Sequence, residues 1–176
     1  DLPLWQGSAP LSFAALSEKF EESDSFQVLS HDPETTMRSF FKAFKFIQTA
    51  GALVQKANKD AYLWIHRFVH LDLPKGKFEK WEGIIEAAIR EVQEETGLNG
   101  SFECLAALTP TFHVYTFKHR SVFKQNHWFH MYYEGSLELK PQTEEGIEAV
   151  FWLAQTQWKN RLNETYPGIA ELLASF

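Results

Sequence analysis

Apolar positions along the chain change period several times, and each change marks an element. LSFAALSEKF, residues 11 to 20, spaces its apolar side chains as a helix does, and 24 to 29 carries a short strand candidate around Phe26 and Val28. Ser30 to Pro33 reads as a helix start, with proline in the first turn where its missing N–H is no loss, and TMRSFFKAFKF continues that helix. From Phe46 the period shortens to that of strands: FIQTAGALVQ, a polar turn over 56 to 60, then AYLWIHRFVHL. A charged helix follows, then the strand candidates FECLAAL, HVYTFKH and HWFHMYYEGSLEL, the last two separated by a basic turn. Ile147 to Leu153 forms a further strand and Pro167 to Phe176 a terminal helix. Strands on both sides of one central helix predict an α+β fold on a mixed sheet, not a repeated βαβ array. The expected division is an α-β-α lead-in over 1 to 45 and a main domain over 46 to 176.

Composition adds exclusions. The 176 residues suit one domain, and 16 Phe, 6 Trp and 5 Tyr are too many for a disordered chain. A net charge of −6 argues against binding a nucleic-acid duplex, which needs a basic face to displace counterions. Cys104 is the only cysteine and cannot form an intramolecular disulfide, which suits a reducing compartment; no supporting arrangement marks it as a nucleophile. No apolar run reaches the roughly 18 residues of a membrane span and no signal-peptide pattern is present, so a cytoplasmic protein off the membrane is expected. The chain begins at Asp1 rather than Met, which leaves room for a segment ahead of it.

The chemistry is concentrated in GKFEKWEGIIEAAIREVQEETGL, Gly76 to Leu98. On a helical wheel Ile85, Ile89 and Val92 fall on one side, flanked by Ala88 and Thr96, while Glu91, Glu94 and Glu95 share an arc of about 100° beside them. Carboxylates at such spacing repel one another, and Glu94 and Glu95 sit near the helix C-terminus, where the macrodipole disfavours anions. A hard cation such as Mg²⁺ or Mn²⁺ relieves both penalties. Gly97 fits a left-handed cap that ends the helix where the carboxylates end. The competing reading of an acidic run is a merely solvated face.

The spacing decides against the solvated face. Gly76, five residues, Glu82, seven residues, Arg90-Glu91-Val92, one residue, Glu94-Glu95, one residue, Gly97-Leu98 resembles the complete Nudix box. Such a coincidence is expected on the order of once in a million chains. AGALV at 50 to 54, Arg67 and LDLPKG at 71 to 76 are similar to the hairpin and turn that precede that box. HVY, WF, QTEEGIEAVFW and TYPGI are similar to later segments of bacterial Nudix proteins that carry an additional N-terminal region. The resemblance covers 46 to 176 and implies an α/β/α sandwich around a mixed sheet. It also implies a metal-dependent hydrolase that cleaves a diphosphate linkage in a small nucleotide-derived substrate.

Carried over by position, the resemblance makes Glu91, Glu94 and Glu95 ligands of Mg²⁺ or Mn²⁺, with the carbonyl of Gly76 as a further ligand. Glu82 and Arg90 become their support, direct phosphate contact being the second option for Arg90. The general base is Glu95 or a glutamate of a later loop, Glu144 or Glu145, with Glu145 favoured. Lys75 and Lys77 flank the box glycine and either neutralise phosphates or are solvated. LPKG before the box, Tyr115 and the basic cluster Lys118, His119, Arg120 and Lys124 are similar to the branch acting on dinucleoside polyphosphates or other highly phosphorylated ligands. In an alternating strand Tyr115 is more often a half-buried sheet residue than a base-stacking one, and KHRSVFK also suits a solvated turn. His113, His119, His127 and His130 show no compact metal-ligand spacing.

One position departs from the pattern. Related sequences commonly have glycine where this chain has Trp81, and a left-handed turn there is costly for Trp. A changed loop path or a ring stacked near the pocket is therefore expected. A non-catalytic nucleotide-binding module acting as a sensor is the alternative function, and a homodimer contact through 1 to 45 is compatible with either.

Overall fold

The computed structural model describes residues 4 to 5, 27 to 57, 60 to 174 and 176. Its elements run β1 (Leu4–Trp5), β2 (Gln27–Val28), α1 (Pro33–Lys42), β3 (Lys45–Lys56), β4 (Tyr62–Arg67), β5 (His70–Asp72), β6 (Lys75–Lys77), α2 (Ile84–Thr96), β7 (Gly100–Phe117), β8 (Arg120–Gly135), β9 (Ile147–Leu153), α3 (Gln155–Lys159) and α4 (Pro167–Ala174). They fall into two units, one of Asp1–Phe46 with Val114–Phe123, the other of Ile47–His113 with Lys124–Phe176.

In the first unit the helix expected at 11 to 20 lies outside the described residues, and the strand expected around Val28 is the short β2, paired in parallel with β1. Asp32 caps α1 by accepting the Thr35 N–H at 3.0 Å, and Pro33 sits in the first turn as anticipated. The helix stops at Lys42, earlier than its apolar pattern, because Lys45 and Phe46 already belong to β3. Phe41 meets Phe123 edge to face at 5.3 Å and Phe46 stacks on the same ring at 5.9 Å. Lys118 and His119, both at positive φ, form the two-residue turn between β7 and β8.

The second unit holds the sheet. Strand order is β5-β4-β3-β8-β7, with β6 paired to β3 and β9 to β4. One face packs Ala50, Ala52, Val54 and Leu63 against Ala87, Ala88, Val92 and Leu98 of the α2 region. The other packs Leu53, Trp64, Leu71 and Trp128 against Trp158, Ile169, Leu172 and Leu173 from α3 and α4. Successive residues of β3 thus serve opposite cores, as strand pleating requires, and the α/β/α sandwich expected from the sequence results.

Three strand readings are corrected. AYLWIHRFVHL is two strands: β4 ends at Arg67, the chain reverses through Phe68 and Val69, and β5 pairs back on β4 in the register Ile65↔Asp72, His66↔Leu71 and Arg67↔His70. Phe68 takes φ 56°, so the turn carries no Gly or Pro to betray it. FECLAAL and HVYTFKH merge into β7, which runs straight through Pro110. SLEL lies beyond β8, which stops at Gly135.

Candidate active site

The α2 helix begins where Glu86 accepts the Gly83 N–H at 2.9 Å and ends where Gly97 adopts φ 75° and donates to the Gln93 carbonyl at 2.9 Å. The buried face differs from the wheel. Ala87, Ala88, Val92, Glu95 and Thr96 are buried and Ile85 is exposed, so Glu95 belongs to the packed stripe instead of standing beside it. Only 2% of Glu95 is accessible. Desolvation of this magnitude is tolerable for a carboxylate only with donors or cations around it.

Strand β6 supplies some of them. Registered on β3 by Ala50↔Gly76 and Gly51↔Lys75, it passes directly over the last turns of α2. The Lys75 N–H donates to Glu95 Oε2 at 2.8 Å. A β-carbon on Gly76 would lie 1.8 Å from Glu91 Oε2, so only glycine lets the Glu91 carboxylate settle against this backbone. From β4, Arg67 reaches Glu95 Oε1 with Nη1 at 3.5 Å and Glu145 Oε2 with Nη2 at 2.9 Å. Burial pushes the Glu95 carboxyl up to about 7 despite Lys75 and Arg67, and burial also raises Glu91.

Arg90 organises the other carboxylates. Its Nε and Nη2 grip Glu82 at 2.7 and 3.0 Å, Nη2 also donates to the Lys77 carbonyl at 2.9 Å, and Nη1 reaches Glu91 at 2.9 Å and Glu94 at 3.0 Å. The hydrogen bond from Arg90 holds Glu82 below its ordinary range, and Glu82 also accepts the Glu79 N–H at 3.0 Å. All five guanidinium N–H groups are engaged, which leaves none for a phosphate.

This donor set suits a hard divalent cation. Its groups are oxygen ligands, two of them are pushed toward protonation by burial, and the Gly76 backbone lies against one of the carboxylates. Among the described residues, however, no three acidic or imidazole groups converge closely enough to enclose an ion. Arg90 holds Glu91 and Glu94, while Arg67 and the Lys75 N–H hold Glu95.

The remaining sequence candidates separate. The Lys75 ammonium pairs with Asp72, a buried carboxylate that also accepts the Leu73 N–H at 2.8 Å, so Lys75 is tied back into the β5–β6 corner. Lys77 is exposed. The Lys124 ammonium on β8 makes no hydrogen bond or ion pair with the described residues; burial, then the nearby charge of Lys75, push it down to about 8 against the opposing charges of Asp72 and Glu95. Glu144 is exposed in the 3₁₀ turn Thr143–Glu145, next to Arg67-bound Glu145. Tyr115, Lys118 and Arg120 belong to the other unit and are exposed. Trp81 neither reroutes the loop nor stacks: it takes φ 72° and its ring is fully exposed. A cavity of about 540 Å³ between β7 and α4, lined by Thr109, Thr111, Phe112 and Glu171, contains none of the glutamates of the box.

Sequence reasoning gave no role to Asp72 or to Arg67. Arg67 lies 28 residues from Glu95 and 78 from Glu145, so only the closed sheet brings the three together.

Known proteins share this arrangement of sheet and helix. The NUDIX domain matches residues 45–176. The chain therefore belongs to the Nudix family, and it is a hydrolase of pyrophosphate bonds. In fold it is similar to a NUDIX hydrolase from Nitrosomonas europaea, with a TM-score of 0.56 at 22% identity over 74% of this chain and 87% of that one. It is likewise similar to a C. elegans Ap4A hydrolase solved as a binary complex, with 0.53 at 18% identity over 73% and 93%. The MutT protein from Methanosarcina mazei Go1 gives 0.53 at 16% identity over 75% and 93%. Among the described residues no helix is long and apolar enough to cross a membrane.

Proposed function

We propose that this hydrolase cleaves the P–O–P bridge of a nucleoside diphosphate linked to a further moiety, dinucleoside polyphosphates being the favoured class, and that it does so with Mg²⁺ or Mn²⁺. The observation that carries the metal reading is the convergence of two helix turns on one backbone corner: buried Glu95 on the Lys75 N–H, and the Glu91 carboxylate on Gly76. Glu91, Glu94, Glu95 and the Gly76 carbonyl would hold the cation. When bound, it neutralises non-bridging oxygens and lowers the pKa of water.

The chain's own groups then divide the work. Arg90, fixed by Glu82, sets the rotamers of Glu91 and Glu94. Glu145 takes the proton from the attacking water as its oxygen bonds to phosphorus, and the bridging oxygen leaves with the second phosphate. Glu144, one residue away, is the alternative base. Lys124, without a partner among the described residues and near Lys75 and Arg67, offers its ammonium to substrate phosphate, and a polyphosphate chain makes the most of such a cation. The similar C. elegans protein is an Ap4A hydrolase, which supports the same substrate class.

The test is turnover with Mg²⁺ or Mn²⁺ of ADP-ribose, diadenosine polyphosphates, nucleoside triphosphates and diphosphoinositol phosphates, with products read by phosphorus NMR. The expected result is metal-dependent cleavage of a diadenosine polyphosphate that Glu95→Gln abolishes. Cleavage that is indifferent to chelator and to Glu95→Gln overturns the metal reading, and preference for another member of the panel overturns the substrate class.

A further inference from the structure

The turn between β4 and β5 is docked on the loop that carries Glu145. Phe68 donates its N–H to the Gly146 carbonyl at 3.4 Å, and its ring lies so close that a β-carbon on Gly146 would meet Phe68 Cε1 at 2.8 Å. Farther back, the Lys140 N–H donates to the Thr96 carbonyl at 2.8 Å and the Gln142 N–H to the Glu95 carbonyl at 3.2 Å. The loop is thus pinned at the end of α2 and at the β4–β5 turn, with Glu145 between the pins. Arg67 sits at this point and divides one guanidinium between Glu95 at 3.5 Å and Glu145 at 2.9 Å.

We propose, on the reading that Glu145 is the base, that Arg67 holds Glu145 in a resting position and releases it when a substrate phosphate takes over the guanidinium. Three observations carry this. Each carboxylate receives a single N–H from Arg67, whereas phosphate offers the planar fork two acceptors at once. Glu145 is 52% exposed, so its ion pair is screened by water and easily exchanged, while Arg67 itself is only 22% exposed and stays in the site. The pins at Gln142 and Gly146 are backbone contacts that do not involve the Glu145 side chain, so when Arg67 lets go the segment between them loosens while its two ends stay docked. Arg67 is then a positioning residue that acts through Glu145, and it makes the base available only when a phosphorylated ligand is present.

Hydrogen exchange over residues 140 to 148 tests the tether without requiring turnover. Arg67→Gln is expected to raise exchange at Glu145 and Gly146 about fivefold, and methylenediphosphonate with Mg²⁺ to do the same to the wild type. Arg67→Lys, which keeps the charge, stays near the wild type until the diphosphonate is added. Equal exchange in wild type and Arg67→Gln overturns the proposal, as does a diphosphonate that fails to bind or that binds and leaves the loop unchanged. With diadenosine tetraphosphate, Glu145→Gln lowers kcat, whereas Arg67→Gln acts mainly on KM, since it removes a phosphate contact and leaves the base already released. A kcat loss in Arg67→Gln as deep as that in Glu145→Gln would make Arg67 part of the chemical step instead of a tether and also overturn it. Wild-type turnover by Glu145→Gln removes the base assignment, and the exchange measurements still decide the tether on their own.

Discussion

The carboxylate of Glu91 occupies the space where a side chain on Gly76 would begin, with Oε2 1.8 Å from the position of a β-carbon. Helix and strand can approach this closely only because Gly76 has no side chain.

Gly76→Ala should therefore displace Glu91 instead of merely crowding it. Overpacking of this kind costs about 1–3 kcal/mol, seen as a lower urea midpoint at unchanged slope. Turnover should fall at least about tenfold, since the displaced group is a proposed ligand. Wild-type turnover in this variant would remove Glu91 from the working site.

Glu95 links the site to stability. Its folded pKa, about 7, lies above the ordinary carboxylate value of 4.5. Between those values the folded state binds more protons than the unfolded one, so without metal stability falls as pH rises from about 5 to 7 and levels off above. The loss is up to about 3 kcal/mol. Glu95→Gln should flatten this dependence in chelator-treated protein. Mg²⁺ should raise the wild-type melting temperature at pH 8 and leave that of Glu95→Gln unmoved. Both follow from thermal melts across pH with and without the ion.

Lys124 should show its role in KM more than in kcat. Lys124→Met removes a part-buried cation that has no partner among the described residues, so diadenosine tetraphosphate should bind about tenfold more weakly, with folding preserved. Because the ammonium loses its proton near pH 8, wild-type KM should rise above that pH, and the variant should not follow it. A pH series of KM for both proteins decides this.

Trp81 holds a left-handed conformation with nothing packed on its ring. Trp81→Gly relieves a backbone penalty of about 1 kcal/mol, offset in part by the greater freedom of glycine in the unfolded chain. A small gain in denaturation midpoint with unchanged turnover is expected. A loss of activity would show that the exposed ring meets the substrate.

The box was legible because its function needs particular residue types at helical spacing, and that pattern survives in one dimension. Glu91, Glu94, Glu95, Arg90 and Glu82 could all be named before any fold was known, and the left-handed end at Gly97 followed from its residue type. Strand boundaries were less legible. Phe68 reverses the chain without Gly or Pro, so AYLWIHRFVHL read as one strand. The wheel placed Glu95 beside the buried stripe because a carboxylate counts as polar wherever it stands, whereas Lys75 and Arg67 make its burial tolerable.

By itself, then, the sequence determined the residues of the box and a mixed sheet with helices, since these are set by local period and spacing, and the box carried the resemblance that implied the family and its sandwich. Only the tertiary structure decided how the charges are shared. It engaged every N–H of Arg90 with the carboxylates and the Lys77 carbonyl, tied Lys75 to Asp72, left Lys124 without a partner among the described residues, and set Arg67 between Glu95 and Glu145. Electrostatic partnership depends on distances of a few ångströms through space, and pairs such as Arg67 and Glu145 acquire that distance only when strands remote in sequence close into one sheet.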